Sequence, residues 1–591
     1  MISVIWILTI LLTTRSFAFV PLHVTSPRSN AFVSLDSSTL ESDAVDTASK
    51  FRPGEEDTDL FPTVLPSVAF WKRWQPTNAL SAETDSSPRI VDENLLKSLA
   101  NIRDAAATAL GNGLKPGASA AAREYWAYHS GRLSFFTGQN LVALGLARLR
   151  LRREQEQRGL EGEDQQTSKK PSSFIFESNS LGPLVVALGN IVSEAVATWE
   201  QDFANIEAGY YKQPWDQDMG FSHRQASPRF VLGKARRLVE ETYSILSRRS
   251  AAAAGSNQEP SPRSSERRMW LGPSTFTNAK EGAAAAPDSM RSPSNLYPDY
   301  YQTDFHYQTD GWMSESSAKV YETATESLFM GRQDAMQRGA LVPLSMWAHD
   351  QQKQPKDIRI LEVACGTGRF ATFVRDNYPQ SDLTLVDLSP FYLEAARENM
   401  AYWEEARGAT SVNNSPSLLE KNKGGFGGGV LGAVTFEQGK AEALPFDDDS
   451  FDALLCVYLF HELPSTVRKQ VAAEFARVLK PGGVVCVVDS VQRGDRLRGM
   501  DDRLDRFTDL NEPFFASYAR EDLAGLFTSA GLTPFLKGVT SVSKTVAFEK
   551  PRTNNAADDA TVAAAEVAAA AVTAPAAHTT NHADSAILEP T

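Results

Sequence analysis

The chain has 591 residues, 42% of them hydrophobic and 22% charged, with a formal net charge of -14. That length has room for more than one domain at about 100–200 residues each, and the composition allows a large core. The acidic balance argues against a general nucleic-acid binder, whose affinity comes largely from Lys and Arg on phosphates. Cys365, Cys456 and Cys486 include no C-x-x-C pair, so neither a disulfide framework nor a metal site is expected.

Ile2 to Leu12 is almost wholly apolar, and Arg15 follows it. The run is shorter than the ~20 residues of a transmembrane helix. It fits the apolar region of a secretory signal, with small Ser16 and Ala18 spaced for cleavage after Ala18. From Phe19 to Phe32 there is no Asp or Glu, while Ser, Thr and Arg28 are present, which is transit-peptide chemistry. The segment Ser16-Phe17-Ala18-Phe19-Val20-Pro21 resembles the bipartite presequence of algae with complex, red-derived plastids. That resemblance implies a signal peptide over 1–18, a transit peptide and disordered linker over 19–90, and residence in the plastid stroma. No later stretch reads as a transmembrane helix, and peripheral membrane contact stays open.

Apolar residues at helical spacing predict helices over Asn94–Glu154, Leu181–Phe203 and Phe230–Leu246, an all-helical unit over 91–250. The segment Tyr210-Tyr211-Lys212-Gln213-Pro214-Trp215-Asp216 interrupts it. Residues 251–294 are rich in Ala, Ser, Pro and Arg and read as a flexible linker. An aromatic and helical lid segment is expected over 295–355. Short apolar strands then alternate with helices over 356–549, the pattern of a doubly wound α/β sheet, Rossmann-like in form. An Ala-rich, disordered tail is expected over 550–591.

The strand Ile358–Val363 runs into Ala364-Cys365-Gly366-Thr367-Gly368, and a helix follows with Phe370, Phe373 and Val374 on one face. Strand, glycine turn and helix bring a ligand close to bare backbone N–H groups. Glycine is required where a Cβ would block that approach or where φ is positive. Leu383-Thr384-Leu385-Val386-Asp387 is a second strand ending in an acid, placed to accept both hydroxyls of a ribose. Val434–Glu437, Ala453–Tyr458 and Val484–Val488 are strands three to five. They are separated by Gly439-Lys440-Ala441-Glu442-Ala443-Leu444-Pro445-Phe446, by Leu459-Phe460-His461-Glu462-Leu463-Pro464, and by a helix ending in Leu479-Lys480-Pro481-Gly482-Gly483. A helix over Arg520–Ala530 and strands over Leu532–Leu536 and Thr545–Phe548 complete the pattern.

These motifs, in this order, resemble class I S-adenosylmethionine-dependent methyltransferases of the methyltransferase type 11 kind, the branch that includes quinone-biosynthesis enzymes. The resemblance covers 356–549. The aromatic segments Asn295–Tyr300 and Phe305–Trp312 are similar to those before the core of plastid and cyanobacterial members. It implies S-adenosyl-L-methionine as cofactor. Glu362, Ala364, Gly366 and Gly368 would hold its methionine end, Asp387 its ribose, and Leu388 and the backbone of Ala441 its adenine. Cys456 would line the pocket beside the sulfonium. Two residues depart from the pattern. Ala364 replaces the first motif glycine. Lys440, a donor with no acceptor, stands where an acid or amide usually accepts from the adenine amino group. Either Lys440 points outward, or Glu442 or a backbone carbonyl substitutes for it.

Methyl transfer from a sulfonium needs positioning of the acceptor and sometimes removal of its proton. His461, just after strand four at the mouth of the sheet, is the candidate base, since its unperturbed pKa is ~6.5. Local packing of His461 is the alternative. His306, Tyr307 and Trp312 form either a lid over the acceptor or a staple onto the core. The expectation is a plastid methyltransferase acting on a small-molecule acceptor. The alternative is a non-catalytic plastid assembly factor that keeps the fold. A nicotinamide oxidoreductase would share the glycine turn, but the Leu444-Pro445-Phe446 and Lys480–Gly483 blocks disfavour it.

Overall fold

The computed structural model describes residues 60–74, parts of 100–111, 118–160, 181–217, 224, 233–245, parts of 297–310, 311–407, 431–496, 504 and 511–552. The expected signal peptide, most of the expected transit segment, the 251–294 linker and nearly all of the tail lie outside these residues.

In chain order the elements are β1 (Thr63–Val64), α1 (Pro66–Arg73), α2 (Ala120–Leu160), α3 (Leu181–Glu207), α4 (Glu315–Leu328), α5 (Gln333–Gln337) and α6 (Leu341–Asp350). After them come β2 (Arg359–Val363), α7 (Arg369–Asn377), β3 (Asp382–Asp387), α8 (Pro390–Ala406), β4 (Val434–Gln438), β5 (Phe451–Val457), α9 (Ser465–Val478) and β6 (Leu479–Ser490). The last four are α10 (Phe515–Tyr518), α11 (Leu523–Ser529), β7 (Thr533–Thr540) and β8 (Ser543–Glu549). Helical structure also covers 233–245.

One 8-stranded sheet runs in the order β1-β7-β8-β6-β5-β2-β3-β4. All neighbours are parallel except those of β8, which is antiparallel to β6 and β7. This is the expected Rossmann-like sheet. Its order reverses beside β2, so the crevice at the carboxyl ends of β2 and β5 is where a ligand fits. The strands read as buried apolar runs because both faces are covered. Ile360, Ala453, Leu455 and Val457 meet Phe370, Phe373 and Leu393 on one face. Leu361, Val363, Leu454 and Cys456 meet Val471, Phe475 and Phe527 on the other. Helix starts are locally encoded: Ser389 caps α8 by accepting from Tyr392 N–H, with Pro390 next, and Asp522 caps α11 by accepting from Gly525 N–H. That cap stops the helix expected over 520–530 from starting before Leu523.

The stretch 60–74, placed in the disordered linker by composition, is part of the fold. Thr63 and Val64 pair in parallel with Leu536 and Lys537 at the sheet edge. Trp71 is fully buried, and its indole donates to Gln201 Oε1 (2.5 Å). Val68 and Trp71 are core residues with Phe70 packed against them, an apolar group that averaging over a Ser- and Asp-rich region hid.

The helical unit packs directly on the sheet. Tyr211 and Trp215, from the interrupting segment, sit in the same core as Phe370 and Leu385. The Trp215 indole donates to Thr372 Oγ1 (3.0 Å) on α7. Gln201 on α3 donates to the Val539 carbonyl (3.0 Å) on β7. The expected helical span of 94–154 is divided: helical residues are described at 100, 103–105, 107–108 and 111, and α2 then runs from Ala120 to Leu160. Among the described residues, no helix is long and apolar enough to cross a membrane.

Candidate cofactor site

The turn after β2 carries three positive φ angles, Ala364 at 58°, Gly366 at 57° and Gly368 at 75°. The two glycines serve different ends. A Cβ on Gly368 would come within 2.9 Å of Ala396 Cβ and 3.0 Å of its backbone Cα, so this glycine lets α7 pack on α8. A Cβ on Gly366 would meet nothing closer than the Tyr321 ring at 4.0 Å, so this glycine keeps backbone open to a ligand. Ala364 pays a left-handed strain of about 1–2 kcal/mol that glycine would not. Ala364→Gly is therefore expected to stabilise the protein by about 1 kcal/mol, less the extra chain entropy of glycine. Urea unfolding checks this, and a destabilised variant would refute the strain.

Asp387 ends β3 beside this turn. Its Oδ2 accepts from Gly366 N–H (2.8 Å) and its Oδ1 from Ser389 N–H (2.8 Å). A carboxylate has about four acceptor sites, so capacity remains for two hydroxyls. Burial pushes its pKa up to about 6, against the pull of those backbone donors. Glu362 is 2% exposed, and its Oε2 has no hydrogen-bond partner. Burial, and then the neighbouring Asp387, raise its pKa well above the usual carboxylate range. A buried acid with an orphaned oxygen beside a half-buried one suits a ligand bearing both hydroxyls and a positive charge.

A cavity opens against this turn, lined by Glu362, Ala364, Gly366 and Thr367, by Val457 and Tyr458, and by Tyr321, Glu326, Gln333 and Gln337 from α4 and α5. Sequence reasoning missed this α4–α5 wall, because single polar residues on short helices carry no motif. Thr367 donates to Glu322 Oε1 (2.9 Å), and Asn399 donates to the Thr367 carbonyl (2.8 Å), tying α4 and α8 to the turn.

At the other end of Asp387, Leu388 is 8% exposed, and its carbonyl accepts from Gln438 Nε2 (2.9 Å). Gln438 also donates to Tyr297 OH (3.4 Å). Ala441 is buried. Lys440 closes a short turn, its carbonyl accepting from Ala443 N–H (3.1 Å), and its side chain is half-buried. Glu442 Oε1 accepts from Tyr300 OH (2.8 Å), while Glu442 Oε2 is buried without a partner. The orphaned acceptor at this end thus belongs to Glu442, one of the substitutes open from sequence. Tyr297 and Tyr300 cover this side of the site.

Of the expected site residues, Glu362, Ala364 and Gly366 line this cavity, while Gly368, Asp387, Leu388, Ala441, Cys456 and His461 do not, Asp387 reaching it through Gly366 N–H. Cys456 is fully buried in the sheet face that packs on Phe460, Val471 and Phe475. Strand alternation turns it from the cavity and presents Val457 instead. His461 is 8% exposed and does not line the cavity. Its Nδ1 lies 2.5 Å from Asp489 Oδ1 and its Nε2 3.4 Å from Glu462 Oε1. Burial alone would lower its pKa, but Asp489 and Glu462 hold it well above the ordinary value. Both ring nitrogens face carboxylates, so the ring is engaged within this loop rather than at the cavity wall. It braces the loop with Asp489, which also accepts from Phe460 N–H (2.7 Å). His306 joins the same cluster, 3.2 Å from Glu462 and 2.9 Å from Glu512. Despite burial, Glu512 and Glu462 push its pKa to about 10. Among the described residues no acid, histidine or cysteine cluster forms a metal site.

Trp312 packs edge-on against Tyr321 and Tyr392 at 5.7 and 5.8 Å between ring centres, and its carbonyl accepts from Ser389 Oγ (2.5 Å). The aromatic segment therefore staples α4 and α8 together. Tyr307 lies outside the described residues.

A family model described as a methyltransferase domain matches residues 361–487. Residues 361–487 form a class I methyltransferase domain. The demethylmenaquinone methyltransferase of Deinococcus radiodurans is 30% identical over 131 residues, covering 22% of this chain and 42% of that protein. The ubiquinone/menaquinone biosynthesis C-methyltransferase UbiE of Pasteurella multocida is 32% identical over 136 residues, 23% of this chain and 40% of that protein. The chain thus spans less than half the length of these curated relatives. A solved SAM-dependent methyltransferase from Methanosarcina mazei is 18% identical, covers 34% of this chain and 97% of its own, and has a TM-score of 0.26. The cofactor of the methyltransferase domain is S-adenosylmethionine, and the site fits it. Gly366 leaves its approach open, Asp387 has room for ribose hydroxyls, and the orphaned oxygen of Glu362 awaits a donor.

Proposed function

We propose that this protein transfers the methyl group of S-adenosylmethionine to a small-molecule acceptor in a plastid. The observation that carries the reading is the buried Glu362 beside the half-buried Asp387 around an open glycine turn. When bound there, the cofactor supplies a methyl group already activated by its sulfonium. Asp387 would orient the ribose, the Gly366 backbone would lie against the amino-acid part, and Glu442 would accept from the adenine amino group. Tyr321 and Tyr458 would wall the acceptor side and exclude water. Phe329 lies parallel to Tyr458 (6.3 Å between centres), which keeps that wall rigid.

The relatives named for quinone methylation favour an acceptor with a planar ring, and the aromatic walls suit one. The plastid location rests on the presequence-like residues 1–32. Because His461 does not line the cavity, acceptor activation falls to positioning or to a group on the acceptor itself.

The test is equilibrium dialysis of the chain downstream of Ala18 with labelled cofactor, followed by incubation in plastid extract. Binding plus a labelled small-molecule product supports the proposal. No binding refutes it, and binding without product favours a non-catalytic assembly factor. Comparing metabolites of a knockout with wild type would then name the acceptor.

A further inference from the structure

The five residues of α5 are all buried, and they face two ways. Gln333 and Gln337, one helical turn apart, line the cavity beside Glu362. Asp334 and Arg338, the next such pair, are held by ions of other elements. Asp334 Oδ2 accepts from Arg369 (2.7 Å) at the start of α7 and from Arg132 (3.2 Å) on α2. Arg338 donates to Asp202 (2.5 Å) on α3. The helical unit thus grips one side of α5 while the other side forms the cavity wall.

That wall is incomplete in its hydrogen bonding. Gln333, Gln337 and Glu362 are 5%, 7% and 2% exposed, and each has a side-chain oxygen without a partner. A buried acceptor left unpaired carries a desolvation penalty that folding alone does not offset. Three such oxygens around one cavity call for a group with several N–H donors, and a primary ammonium has three.

We infer that Gln333 and Gln337, with Glu362, hold the α-ammonium of the cofactor's amino-acid end, and that the helical unit serves to place them there. This rests on the reading under Proposed function. Both glutamines lie outside the matched domain at 361–487, so this chain completes its cofactor site with residues from its own preceding segment.

The experiment compares two ligands on the chain downstream of Ala18. S-adenosylhomocysteine carries the amino-acid end, and 5′-methylthioadenosine lacks it. Calorimetry measures both Kd values for wild type and for a Gln333→Met, Gln337→Met variant, which keeps side-chain length. The expected result is an S-adenosylhomocysteine complex weaker by about a hundredfold or more, on the scale of about two hydrogen bonds to a charged group, with methylthioadenosine unchanged. The unchanged nucleoside also shows that the variant folds. Equal affinities in wild type and variant overturn the inference, as does an equal loss for both ligands, which marks a packing role. If Met fails to fold, Gln333→Glu is read in the same way, with tighter S-adenosylhomocysteine binding expected and unchanged or weaker binding overturning the inference. Wild type that binds neither ligand overturns the proposed function itself.

Discussion

Glu362→Gln is expected to flatten the pH dependence of stability in the cofactor-free protein and to weaken cofactor binding by about ten- to a hundredfold. Burial and Asp387 raise the Glu362 pKa well above its ordinary 4.5 in the folded state. An acid with a raised folded pKa binds more protons folded than unfolded throughout the interval between the two values. Stability from this group is therefore highest below about 4.5. It falls by up to about 1.4 kcal/mol per pH unit as pH rises, until the folded pKa is passed. Asp387 adds to the decline between 3.8 and about 6. Glutamine does not titrate, so the variant keeps only the shallower part of the slope. Binding has the opposite sign. A cationic ligand favours the carboxylate and expels its proton, so wild-type affinity rises with pH, by up to tenfold per unit for one proton. Scanning calorimetry from pH 5 to 8, with binding measured in two buffers of different ionisation enthalpy, checks both halves. A wild-type stability slope equal to that of the variant would defeat the argument.

The strands and glycine turn were legible because each is encoded locally. Ala453–Val457 is a continuous apolar run, and Asp387 ends its strand at the spacing a ribose requires. Cys456 and Val457 show where that legibility stops. Both lie in the same strand, and only the register against β2 and β6 decides which one the cavity receives. His461 shows a second limit. Its place at the sheet mouth was readable, but its partners are Asp489, 28 residues later, and Glu462. The Glu442–Tyr300 pair spans 142 residues. Sequence could leave Glu442 open as a substitute for Lys440, yet it could not bring Tyr300 to it. Residues 60–74 and α5 were hidden for a related reason. Short elements gain order from the body they pack on, and no periodicity of their own announces them.

The same reasoning predicts that the helical unit and the sheet unfold together, and Asp202→Ala is the sharpest test. Asp202 is 1% exposed, and it takes two hydrogen bonds from Arg338 (3.1 and 2.5 Å) and one from Tyr211 OH (2.9 Å). Tyr125 OH donates to it as well. Arg338 is fully buried, and its Nη1 has no hydrogen-bond partner even with Asp202 in place. Removing Asp202 leaves a guanidinium in a dry core, at a cost of about 3–5 kcal/mol. Replacing both partners, as Asp202→Leu with Arg338→Met, removes the stranded charge and should restore much of that loss. Because Arg338 directly follows α5, the loss reaches the cavity wall, and S-adenosylhomocysteine binding should weaken along with stability. Urea unfolding followed by far-UV circular dichroism and by ligand binding should show one coincident transition, shifted lower in the variant. If helical signal were lost first while the sheet kept its ligand, the two would be independent bodies. The grip of α2 and α3 on α5 would then be only a contact. A single transition makes the helical unit part of what holds the cofactor site in shape.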